Sequence, residues 1–224
     1  MSLPDILLLI PVLLFSIVAH EYAHGEAAYR QGDTTAYMLG RLTLNPLKHI
    51  DPFLTIVLPV LLIYMGGPPF GGAKPVPVNP RNYRHYVTGD IIVSLAGIFT
   101  NLVLFVLCAI GFVLVGLLGQ AIGGLSGAVA LLQRMMFIGM WVNTGLAFFN
   151  LIPIPPLDGS HVLKHMLPPA AGLKFRQLYV FGIFPILLVV WLLPGVVDAF
   201  MWPARTLMHA AIAVVGGFAL PGSL

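Results

Sequence analysis

The sequence predicts an all-α polytopic membrane protein: about five to six apolar helices, a re-entrant segment, and a short β-strand or hairpin near a candidate site. Three observations carry this. Of 224 residues, 58% are hydrophobic and 8% charged, against roughly 25% charged in an ordinary soluble domain. The mean hydropathy of +0.95 requires an apolar surface as well as an apolar core, and lipid is the solvent that tolerates one. Six apolar stretches recur along the chain, at about 3 to 24, 52 to 66, 90 to 118, 137 to 153, 178 to 194 and 196 to 216.

The first stretch has no basic segment before it and runs into charged residues without a small-residue cleavage site, so it reads as a retained helix. The second is short. Its 15 residues, 52 to 66, make about 22 Å of helix against a hydrocarbon core of roughly 30 Å. Pro52, Pro59 and the Gly66-Gly67-Pro68-Pro69 breaker suit a re-entrant or tilted segment, the alternative being a span. Charge favours the first reading. If the segment does not cross, residues 25 to 89 bring six basic side chains to one face (Arg30, Arg41, Lys48, Lys74, Arg81 and Arg84), the connection 119 to 136 brings Arg134 alone, and 154 to 177 brings Lys164, Lys174 and Arg176. That is a positive-inside pattern. Residues 34 to 45 alternate imperfectly and hold β-branched and aromatic side chains, which predicts the strand or hairpin. The last two stretches, joined at Pro194-Gly195, read as a helical hairpin over 178 to 216. The whole chain, 1 to 224, reads as one integral-membrane domain with its core over about 3 to 165.

The net charge of +3 comes from basic residues scattered singly, which argues for topology determinants and against nucleic-acid binding. One cysteine, Cys108, excludes an internal disulfide and a cysteine-based zinc site, so any metal here needs His and carboxylate ligands.

The strongest chemical signal is His20-Glu21-Tyr22-Ala23-His24, an HExxH at the end of the first apolar stretch. Histidines four apart lie about 40° from each other around a helix and about 6 Å along it, so both imidazoles reach one ion. Glu21 points to the adjoining face, where it meets water at the metal without being a ligand. Placing these residues at the edge of a hydrocarbon-length helix is costly unless they have a task. A catalytic zinc needs a third ligand. Asp5, Glu26, Asp33, Asp51, Asp90 and Asp198 sit at segment ends or in polar loops, where solvation or capping accounts for them. Asp158 differs, because it follows an apolar helix broken by Pro153, Pro155 and Pro156 and precedes Gly159. Irregular backbone of that kind is tolerated at membrane depth where it lines a wet cavity.

HEYAH (20 to 24), NLIPIPPLDG (150 to 159), GRLTLNPLKHIDP (40 to 52), GGAKPVPVNPRNYR (71 to 84) and SLAGIFTN (94 to 101) together resemble the site-2 protease family of intramembrane zinc metalloproteases, in its compact prokaryotic branch. The resemblance covers most of residues 15 to 165, and its two-part metal motif is highly specific. It implies one Zn2+ held by His20, His24 and Asp158, with Glu21 as general base and acid. It implies that Asn150 bonds the substrate backbone or the oxyanion, and that Asn101 acts near the site or in helix packing. It further implies a multi-pass cell-membrane protein with its site toward the cytoplasm, a membrane-protein substrate and the lipid bilayer as partners. The PDZ or CBS domains of larger members are not expected in these residues, and Ile98 stands where the family usually has Pro. A rival reading, a membrane zinc transporter or metal sensor, lacks the internal repeat such proteins carry; an inactive scaffold of the same fold is a third, against which the intact motif argues.

Overall fold

The computed structural model describes residues 3–58, 61, 64–65, 72–122 and 126–223. Helices dominate: α1 (Leu3–Arg30), α2 (Thr35–Met38), α3 (Tyr86–Ile122), α4 (Ser126–Asn150), α5 (Asp158–Met166), α6 (Pro169–Arg176), α7 (Phe184–Leu192) and α8 (Pro194–Val215). The all-α class agrees with expectation, but its details do not. Among the described residues, two helices are long and apolar enough to cross a membrane, within α1 and α3; a third is gained if the pair Pro169–Phe181 and Phe184–Leu192, bent by 90°, counts as one span. Five to six was too many.

The reason lies in the polar residues and breaks that the apolar stretches contain. The stretch 137 to 153 belongs to α4, which also carries Gln133, Arg134, Asn143 and Thr144. The stretch 178 to 194 is cut at Gly182, whose φ of 55° is left-handed, leaving the nine-residue α7, about 14 Å long. α8 carries Asp198, Arg205 and His209. Residues 52 to 66 begin as a π-helical turn, Pro52–Val57; Pro59 and the Gly66 to Pro69 breaker lie outside the described residues.

The expected strand or hairpin within 34 to 45 is also absent, and no strand occurs among the described residues. Local turns override the alternation. Asp33 Oδ1 accepts the Thr35 amide at 3.1 Å, which starts α2. The helix then closes after one turn: Arg41 N donates to Ala36 O and Gly40 N to Tyr37 O, both at 2.9 Å, with Gly40 at φ 61°. This is a Schellman closure, which wants glycine at the left-handed position.

The contacts divide the chain into two compact units. Met1–Ser16 and Ile98–Leu224 form one, cored by Phe105, Phe112, Met140, Met208 and Val215. A Cβ on Gly139 would stand 2.5 Å from Cys108 Sγ, so the glycine sets how closely α3 and α4 pack. Several buried amides and hydroxyls in this unit are matched. Asn101 Nδ2 donates to Asn143 Oδ1 at 2.9 Å, and Asn143 Nδ2 to Ser16 Oγ at 3.0 Å and Gly139 O at 2.9 Å, joining α1, α3 and α4. Gln133 Nε2 donates to Phe112 O and Phe218 O, while its Oε1 accepts from Leu220 N, pinning the C-terminal segment. Large apolar side chains such as Leu7, Phe15, Phe99, Leu107 and Leu114 are exposed, as a lipid-facing surface requires.

Ile17–Gly97 form the second unit, with Ala28, Tyr83 and Val93 at its centre. Its loops are tied together. Lys74 N donates to His49 O at 2.8 Å, Arg84 N to Gln31 O at 2.8 Å, and Thr55 Oγ1 to Gly72 O at 2.7 Å, so the two ends of the excursion between residues 49 and 74 lie side by side. Asp33, fully buried, gathers the Thr35 amide, the Asn79 amide at 2.6 Å and Asn82 Nδ2 at 2.8 Å. Burial pushes its carboxyl up, but these hydrogen bonds and that of the Thr35 hydroxyl outweigh burial and hold it below the ordinary 3.8. Burial, reinforced by the Asp90 and Asp33 carboxylates, pushes the Tyr83 phenol well above its usual value.

A carboxyl depressed in the folded state contributes stability that is present above its unfolded value and lost as pH falls through the folded one. Thermal unfolding of detergent-solubilised protein, followed by circular dichroism, should therefore show stability falling as pH drops below about 4. Asp33→Asn should lose about 1–3 kcal/mol at pH 7 and show a flatter response across that acid window.

Candidate metal centre

α1 holds the HExxH over its last three turns. His20 and His24 are buried, and their Nε2 atoms stand 3.0 Å apart with the rings edge to face. His24 Nδ1 lies 2.7 Å from Val93 O on α3. A carbonyl only accepts, so Nδ1 donates here and Nε2 is the nitrogen turned toward His20. That is the second bond by which metal-binding histidines are oriented.

Four residues beyond Val93, on the same face of α3, is Gly97. A Cβ there would lie 2.6 Å from His20 Cε1, His20 Nε2 and His24 Nε2. Any side chain would fill the space in front of both nitrogens. Two converging imidazoles, one oriented from behind, and a cradle kept open by glycine fit a divalent metal of the zinc type.

Glu21 Oε2 accepts the Val76 amide at 2.7 Å. The amide comes from residues 72–79, a stretch without helix or strand. His20, Glu21 and His24 thus stand together in Ile17–Gly97, as the motif spacing predicts.

Asp158, Asn150 and Asn101 belong to the other unit. Asp158 is the first residue of α5, preceded by Leu157 in extended conformation. The Pro-rich break is folded back on itself: Ile154 N donates to Ile152 O at 2.8 Å, Leu157 N donates to Ile154 O at 2.9 Å, and the Pro155-Pro156 bond is cis. A Cβ on Gly159 would meet Leu151 O at 2.1 Å, so the residue after the aspartate must be glycine for α5 to start where it does. Asn150 ends α4, half-buried, with Nδ2 donating to Leu146 O at 3.0 Å. Asn101 is fully buried in the Ser16–Asn143 cluster.

Sequence reasoning missed four residues. Val93 and Gly97 carry no signal of their own, since a backbone carbonyl and a missing side chain mark no motif. Asn143 had one, being a polar residue in an apolar helix. Tyr179 had none: its hydroxyl meets Ser160 Oγ at 2.6 Å and its ring abuts His161, steadying α5 from the turn Gln177–Phe181. His161 packs against that ring beside the aspartate's helix.

A helix that turns two imidazole nitrogens toward one point, with a glutamate between them in sequence, defines the metallohydrolase class built on HExxH. Within that class the chain belongs to peptidase family M50, the site-2 proteases, whose model matches residues 8–190, and it is a metalloprotease. It is 39% identical over 197 residues to "Putative zinc metalloprotease YwhC" of Bacillus subtilis (strain 168), covering 87% of this chain and 84% of that one. It is 39% identical over 165 residues to "Putative zinc metalloprotease Rip2" of Mycolicibacterium smegmatis, covering 73% of this chain and 58% of that one. The protein of the same name from Mycobacterium tuberculosis (strain H37Rv) is 32% identical over 164 residues, 70% and 56% of the two chains. The chain thus spans little more than half the length of the mycobacterial relatives. No solved structure matches significantly.

Gly97→Ala tests the cradle. With 2.6 Å available, the added methyl should weaken zinc retention at least tenfold, about the scale of an outer-shell loss. Competition with a chromogenic chelator measures it, and wild-type retention would remove the cradle.

Proposed function

We propose that this protein is an intramembrane zinc metalloprotease that hydrolyses a peptide bond in or near a transmembrane segment of another membrane protein. The observation that carries the reading is the buried His20–His24 pair with Glu21 held beside it on an apolar, span-length helix. In this reading His20, His24 and Asp158 hold one zinc ion per chain. The placement of Asp158 at the start of a helix, locked by Gly159 and steadied by Ser160 and Tyr179, suits a fixed ligand. Zinc, when bound, polarises the scissile carbonyl and makes its water acidic.

The chain's own groups do the rest. His20 and His24 contribute imidazole nitrogens, His24 with its Nδ1 turned to Val93 O. Glu21 has Oε2 engaged by the Val76 amide, which leaves Oε1 to take a proton from the attacking water and return it to the leaving amine nitrogen. Asn150, at the end of α4, bonds the substrate backbone or the developing oxyanion. Asn101, its amide engaged between Ser16 and Asn143, acts in helix packing. A helical substrate hides its carbonyls in its own hydrogen bonds, so it unwinds locally before attack.

The protein lies in the cell membrane as a multi-pass chain with this site toward the cytoplasm, supported by six basic residues between 25 and 89 against one between 119 and 136. In a Cys108→Ser background, cysteines at Arg30 and Lys74 should react with a membrane-impermeant thiol reagent only once the cytoplasmic face is opened. Reaction in intact cells would reverse the orientation. For the chemistry, Glu21→Gln should keep its zinc and lose at least 100-fold in cleavage of a tagged membrane substrate, as expected of a general base. Equal cleavage by the two proteins would exclude Glu21 as the base.

A further inference from the structure

The stretch 72–79 is a strap laid across the HExxH helix, and its fastening points are specific. Lys74 N donates to His49 O at 2.8 Å. Val76 N donates to Glu21 Oε2 at 2.7 Å, and Asn79 N to Asp33 Oδ2 at 2.6 Å. Pro75 and Pro77 have no N–H to give. The Val76 amide is therefore the one donor between two locked residues. The Val76 side chain is buried, and it seats against Gly25, four residues along α1 from Glu21, where a Cβ would stand 3.0 Å from Val76 Cγ1. The strap is keyed to the helix at this point.

What holds the strap from outside is Arg41. Its Nη2 donates to Lys74 O at 3.1 Å and Pro75 O at 3.4 Å, the two carbonyls immediately before the Val76 amide. Arg41 is itself anchored, because its backbone N–H closes the Schellman motif of α2 on Ala36 O. A continuous path runs from the α2 closure through the Arg41 guanidinium and the Lys74-Pro75 carbonyls to the Val76 N–H and the Glu21 carboxylate.

We propose that Arg41 is a positioning residue for hydrolysis, acting through the strap to aim the Val76 amide at Glu21 and so fix which carboxylate oxygen faces the reacting water. A carboxylate free to rotate presents its oxygens to the water only part of the time, and small misplacements of a catalytic group are costly in rate. The clasp spans two carbonyls from one nitrogen, Nη2, held by the rigid guanidinium plane, a placement that lysine, a point charge on a flexible stem, reproduces only in part. The inference rests on Glu21 being the base.

The test compares wild type, Arg41→Gln, Arg41→Lys and Glu21→Gln as full chains in detergent or liposomes, with zinc content, kcat and KM for a tagged membrane substrate. Arg41→Gln should lower kcat at least tenfold, with KM within threefold of wild type and zinc content unchanged, and Arg41→Lys should fall in between. If Arg41→Gln fails to fold, Arg41→Lys serves alone, with a loss of at least threefold in kcat at unchanged zinc. Two results overturn the proposal: kcat within twofold of wild type in the folded arginine variants while Glu21→Gln is inactive, or a fall in kcat matched by an equal fall in zinc. Wild-type cleavage by Glu21→Gln is a separate failure, that of the base itself.

Discussion

The bond from His24 Nδ1 to the carbonyl of Val93 is the contact on which the candidate metal centre depends. It orients a buried imidazole, turns Nε2 toward His20, and ties the HExxH helix α1 to α3. The requirement then passes along α3. Because Val93 and Gly97 lie four residues apart on one helical face, the carbonyl that orients His24 is followed, one turn on, by the glycine that leaves both Nε2 atoms room.

The same demand, that buried polar groups find partners, organises much of the described chain. In Met1–Ser16 with Ile98–Leu224, Ser16, Asn101 and Asn143 join three helices through one hydrogen-bonded cluster, and Gln133 uses both ends of its amide to hold the C-terminal segment. In Ile17–Gly97, Asp33 gathers the donors of three segments and Arg41 clasps the strap. These polar side chains explain why α4 and α8 are less apolar than spans chosen by hydropathy: α4 spends its polar residues on interior bonds, and α8 pairs Asp198 with Arg205 on its own surface.

How far each feature was legible follows from the range of the interaction behind it. The HExxH could be read directly, since helical geometry alone brings residues four apart to one face. The break at Pro153 to Pro156 could be read too, because proline acts on its own backbone. The strand expected in 34 to 45 failed because a side-chain turn at Asp33 and a Gly40 closure, both local but competing with alternation, turn those residues into a helical turn. The number of spans failed because hydropathy averages over residues that the fold then sorts into buried pairs and breaks.

By itself, then, the sequence determined the all-helical membrane class, the paired histidines of the HExxH, the glutamate between them and the family, all properties of residues near one another in the chain. Tertiary structure alone decided the orienting carbonyl of Val93, the gap at Gly97, the strap on Glu21 and the latch of Tyr179 on the helix of Asp158. Those are contacts between residues at least 19 apart in the chain, and a backbone carbonyl or amide looks the same at every position until folding chooses its partner.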